Sequence, residues 1–192
     1  MKERKYKEDW VNETRIDDTT GKERRVPVYR GPVFRRMTGQ ERGSMLAWAF
    51  FPWLFFITLI LLYFKLFFPG STVLYVFLPA ALSLFPALYW ALGIWTAFRS
   101  GRDGKQKGLR ERTMTRLEKE NGIGRVLRSA AGCMICAAAA VVGDIVFLLL
   151  SGQAAAELPG TAMLLAAALT ALGTMNQFRK FNLQTEKGGG GT

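Results

Sequence analysis

Apolar residues collect in four blocks along the 192-residue chain, roughly 45–68, 72–98, 129–151 and 158–178, separated by strongly polar stretches. Each block holds about 20 residues or more, enough for a helix to cross a hydrocarbon core about 30 Å thick. The pattern predicts an all-α membrane protein with four transmembrane helices. The connections at 69–71 and 152–157 are so short that the helices must pair as two antiparallel hairpins. A soluble globular domain is excluded.

Outside the blocks the pattern changes period. In the first 44 residues, Asp9 to Ile16 and Glu23 to Tyr29 alternate polar and apolar positions around the turn-forming run Asp17 to Lys22. This predicts a small β-hairpin that sets Trp10, Val11 and Ile16 against Val26, Val28 and Tyr29, with Pro27 favouring an edge. Pro27-Val28-Tyr29-Arg30 is then echoed by Pro32-Val33-Phe34-Arg35, an extended basic stem or a docking motif. In the loop 99–128, Leu109, Thr113 and Leu117 recur at helical spacing among mixed charges, which predicts an amphipathic helix on the membrane surface ending at a Gly122–Gly124 break. The tail 179–192 carries four glycines, Gly188 to Gly191, before Thr192, read as a flexible linker outside the fold.

Charge orients this arrangement. Residues 1–44 carry twelve Lys and Arg, 99–128 carry ten and the tail three, whereas the two short connections carry none. Because basic residues are retained on the cytoplasmic side, both termini and the central loop are expected there, in a bacterial-type inner membrane. The first span would act as an uncleaved signal anchor, since the polar segment before it is too long for a signal-peptide n-region. Trp48, Trp53, Trp90 and Trp95 fit an inner aromatic belt, and Tyr63 and Tyr75 an outer one. The net charge of +11 is thereby accounted for, with anionic lipid headgroups and not nucleic acid as its expected partner.

The two helix hairpins differ in texture. Ten of the fourteen phenylalanines lie between Phe50 and Phe98, where Pro79 and Pro86, seven residues apart, should bend the long second span. The second hairpin is built from small residues. Gly132, Cys133, Cys136, Ala140 and Gly143 in the third span, and Ala162, Ala166 and Thr170 in the fourth, mark faces on which helices can approach closely or a partner can dock.

Little chemistry remains. With no histidine, imidazole catalysis and His-ligated metal sites are excluded, and no cofactor or metal is expected. Cys133 and Cys136 have redox spacing but lie inside a span, where cysteine serves as a small packing residue. Asp144 is the acidic residue well inside a span. A central Asp costs about 2.5–3.5 kcal/mol on insertion, so it requires a partner: Lys65 of the first span, Thr170 or Thr174, a charge in another subunit, or a transported ion or proton. The sequence therefore predicts a non-enzymatic membrane subunit or scaffold with a protein partner or self-association. The alternative is a small homo-oligomeric transporter or channel with Asp144 as its ion or proton site.

Overall fold

A computed structural model describes residues 10–16, 23–32, 34–35, 39–103, 113–114, 116–152 and 154–187. Four of its helical stretches are long and apolar enough to cross a membrane: Gln40–Lys65, Leu74–Ala97, Glu120–Ser151 and Ala156–Thr185. The protein is thus multi-pass by length and composition. The predicted turn Asp17–Lys22, the loop 104–112 and the terminal glycines lie outside the described residues.

Two strands, β1 (Trp10–Ile16) and β2 (Glu23–Tyr29), pair antiparallel with Trp10 opposite Tyr29 and Ile16 opposite Glu23. A short β3 (Phe34–Arg35) pairs with β4 (Thr113–Met114), so part of the loop expected to be helical is extended. Among the described residues from 113 to 119, helix is α4 (Arg116–Lys119). Lys119 is buried, with its ammonium 4.2 Å above the Phe34 ring, a cation–π contact that fastens the stem to the loop.

Helix α1 (Gly39–Lys65) is followed by a 3₁₀ turn, Pro69–Thr72, and then by α2 (Leu74–Leu82) and α3 (Leu84–Asp103). The second span is two helices because Pro86 has no N–H to offer the Leu82 carbonyl, and the ladder breaks at Ser83. The Ser83 hydroxyl donates to the Ala80 carbonyl at 2.6 Å, closing the break internally. On the other side of the loop, Glu120–Gly124 forms a π-helical turn that runs directly into α5 (Arg125–Ser151). The expected Gly122–Gly124 break is therefore a widened turn of one continuous span, with Gly122 buried beside Ala97 of α3. Gly152, at φ 68°, caps α5 in the left-handed region that glycine adopts at no steric cost. After it, α6 (Ala154–Lys187) begins before the apolar block at 158 and ends well beyond it.

Helix α5 is the hub, packing on α6, α3 and α2, while α1 packs on α6 and α3. The core joins bulky residues of the first two spans, Phe56, Ile60, Tyr63 and Trp90, to the alanines of the last two, Ala130, Ala137, Ala140, Ala167 and Ala171. Two of the expected belt tryptophans have other duties. Trp90 is fully buried near Phe56, at 6.3 Å between ring centroids, and Trp53 donates to the Ala87 carbonyl at 2.9 Å.

Candidate functional site

The turn Pro69–Thr72 packs against α5 and α6 at one end of the bundle, and the acidic residues lie just inside it. Asp144 sits seven residues before the end of α5, about 10 Å in along the helix axis. Glu157 lies in the first turn of α6 and Tyr63 near the end of α1. All three are fully buried.

The carboxyls are held by donors from different elements. The Gly70 backbone N–H donates to Glu157 Oε2 at 2.7 Å, tying the first hairpin turn to α6. The Thr161 hydroxyl donates to Asp144 Oδ2 at 2.5 Å, tying α6 to α5. That leaves Asp144 Oδ1, Glu157 Oε1 and the Tyr63 hydroxyl buried without a hydrogen-bond partner among the described residues. The two unpartnered carboxyl oxygens converge over Gly70. Gly70 is pressed against both: a Cβ there would collide with Asp144 Oδ1 and lie 2.8 Å from Glu157 Oε1. Gly160 closes the far side, where a Cβ would stand 2.9 Å from both Glu157 Oε1 and the Phe68 ring. The Phe68 ring in turn stacks on Tyr63, with centroids 5.6 Å apart.

Two unit charges about 4 Å apart repel by about 4 kcal/mol at an effective dielectric constant near 20, so two ionised carboxylates could not remain in this arrangement without compensation. Lys65 does not supply it. Its side chain is exposed at the end of α1 while Asp144 is fully buried and bonded to Thr161. Nor do Thr170 and Thr174, whose hydroxyls donate to the carbonyls of Ala166 and Thr170 one turn back in their own helix.

Neither a family model, nor a curated protein, nor a solved structure matches this chain. Function must be argued from the geometry.

The remaining packing residues divide into two groups. Cys133 is fully buried with its thiol 3.8 Å from the Ser83 carbonyl, Cys136 is half-buried, and Ala140 is fully buried. Gly132 and Gly143 face the second span: a Cβ on Gly132 would lie 3.0 Å from Pro86 Cβ, and one on Gly143 2.8 Å from the Tyr75 carbonyl oxygen. In α6 the expected stripe points the other way. Ala162 is exposed and Ala166 and Thr170 are half-buried, whereas Leu164, Ala167, Ala171 and Phe178 are fully buried. Seating Glu157 and Thr161 against α5 turns inward the face that repeats from them at three- and four-residue steps, and the Ala162–Ala166–Thr170 face is left outside.

At the opposite end of the bundle, a cleft of about 380 Å³ between α3 and α5 is lined by Pro86, Tyr89, Arg125, Arg128 and Ser129.

Proposed function

We propose that the protein is a non-catalytic subunit or scaffold of a membrane complex, in a bacterial-type inner membrane with both termini cytoplasmic. The observation that carries this reading is that the acidic centre is closed: Asp144 and Glu157 are fully buried and clamp the first hairpin turn, α5 and α6 to one another. A transporter would need a hydrated path to Asp144, whereas these side chains fasten two helix hairpins into one block. The orientation rests on the basic segments 1–44 and 99–128, which mark the cytoplasmic side.

The outward stripe Ala162, Ala166 and Thr170 suits a partner helix. It borders a groove of about 500 Å³ between α1 and α6, lined by Trp48, Phe51, Phe55, Thr170 and Gly173. Small residues permit close helix approach, and van der Waals packing is what remains to drive association where lipid is as apolar as the protein. Purification in mild detergent should recover a heteromeric complex of fixed stoichiometry, and Ala166→Leu should release the partner while leaving the chain folded. A pure homo-oligomer that carries an ion flux in liposomes would overturn the scaffold in favour of the transporter.

We assign the Arg125–Arg128 cleft to an anionic lipid headgroup, with the Tyr89 hydroxyl as a further donor. Each arginine near an anionic surface contributes about 1 kcal/mol. Arg125→Gln/Arg128→Gln should therefore lower retention of anionic phospholipid by more than about tenfold, measured as lipid co-purified per protein and compared with zwitterionic lipid. Equal retention of both lipid classes by the variant and the parent would remove this assignment.

A further inference from the structure

We propose that Asp144 and Glu157 form a proton-binding site in which one proton is held between Asp144 Oδ1 and Glu157 Oε1. Each carboxyl has one oxygen already committed, Oδ2 to the Thr161 hydroxyl and Oε2 to the Gly70 N–H. The other two oxygens are buried, are acceptors only when ionised, and have no donor among the described residues. They converge over Gly70, where an added Cβ would collide with Asp144 Oδ1 and lie 2.8 Å from Glu157 Oε1. A proton on one oxygen makes it a donor to the other, satisfies both, and leaves a single negative charge facing the Gly70 and Thr161 donors.

The surroundings select a proton over a metal ion. Among the described residues the unmatched oxygens here are Asp144 Oδ1, Glu157 Oε1 and the Tyr63 hydroxyl, whereas hard divalent cations take about six or more. Gly70 is so close to both carboxyls that not even a methyl group fits beside them. The titratable group at this end of α1 is Tyr63, fully buried and with its hydroxyl unpartnered among the described residues. The turn supplies the Gly70 N–H, and α6 supplies Thr161 beside Glu157 itself. Of the cations of α1, Lys65 is exposed, and Arg42, near the start of the helix, donates to the Ala97 carbonyl.

The site is a latch. Loss of the proton sets two negative charges against each other between the first hairpin turn and the start of α6, and drives the turn end of the bundle apart. Because the folded chain holds a proton that free carboxyls release above about pH 4, the unfolded state binds fewer protons. Stability is then greatest in mild acid and falls as pH rises, the folding constant dropping by up to about tenfold per pH unit until the site empties.

The test uses the full chain in lipid nanodiscs at constant ionic strength. Infrared spectra at neutral pH should show a protonated carboxyl C=O band that shifts in D₂O and is missing from Asp144→Asn/Glu157→Gln. Thermal unfolding of the parent between about pH 5 and about pH 9 should show the fall in stability. Asp144→Asn and Glu157→Gln, whose amides donate where the proton was, should be flatter across that range. A parent with no such band, or with stability indifferent to pH, would overturn the proposal. So would stabilisation by sodium chloride over choline chloride at fixed pH, which would place a sodium ion in the site. The spectrum of the parent is decisive even if a variant fails to fold. Partner recovery in the pull-down does not enter this test, so the scaffold and the proton site can fail separately.

Discussion

Replacing Gly70 by alanine should loosen the turn end of the bundle and lower stability by about 3 kcal/mol or more. The added Cβ has nowhere to go. It would strike Asp144 Oδ1 and approach Glu157 Oε1 to 2.8 Å and Cδ to 3.0 Å. Relief requires turning one carboxyl aside, which breaks either the Gly70 N–H bond to Glu157 or the Thr161 bond to Asp144. A buried polar group that loses its partner costs about 1–3 kcal/mol, and forced overpacking adds about 1–3 kcal/mol. Thr72, exposed in the same turn with its hydroxyl bonded to the Pro69 carbonyl, provides the comparison, and Thr72→Ala should cost under about 1 kcal/mol. Denaturation of both variants in the same nanodiscs measures the difference. If Gly70→Ala unfolds with Thr72→Ala, the carboxyl clamp does not hold the bundle together.

The four apolar stretches could be read from sequence because block length and composition answer to one constraint, the thickness of the hydrocarbon core. The burial of Asp144 could also be read, since its insertion cost demands a partner. Its partners could not be named by the same reasoning. In the sequence Glu157 ends the polar connection 152–157, just before the apolar block that starts at 158. The signal that it joins the helix is Ala154-Ala155-Ala156, three strong helix formers that carry α6 up to Gly152 and draw Glu157 into the bundle. Thr161 had a signal too. It stands nine residues after Gly152 and Asp144 eight before it, so an antiparallel helix pair places them at the same level. Lys65 was the wrong choice for a physical reason: a lysine near a helix end reaches outward to the headgroups more cheaply than inward to an acid.

The small residues show what periodicity resolves and what it leaves open. Spacing identified a face in α6, but a polar pair decided which face turned inward, and hydropathy gives no sign of that choice. In α5 the glycines were found but their partner was not. Tyr75 and Pro86 are eleven residues apart, as are Gly132 and Gly143, and the two antiparallel helices match these positions pairwise. Bending residues on one helix opposite gaps on another are complementary features that hydropathy does not register.

This complementarity leads to the second large effect. Pro79 has no N–H for the Tyr75 carbonyl, so that oxygen is left without its helical bond. Gly143 of α5 lies over it, and the missing side chain lets the α5 backbone come close enough for a Cα–H to face the oxygen. Gly143→Ala would put a Cβ 2.8 Å from the Tyr75 oxygen and 3.3 Å from its carbonyl carbon. Both atoms are backbone, so no rotamer change gives relief, and α2 must move off α5. The expected loss is about 2–3 kcal/mol, from overpacking and from the re-exposed carbonyl. Gly173→Ala in α6 supplies the opposite sign. Nothing lies within 4 Å of its Cβ position, so alanine there should stabilise by up to about 1 kcal/mol through helix propensity alone. Unfolding both variants under identical conditions separates close approach from propensity: if Gly143→Ala were also stabilising, the Pro79–Gly143 contact would not be what sets the spacing of α2 and α5.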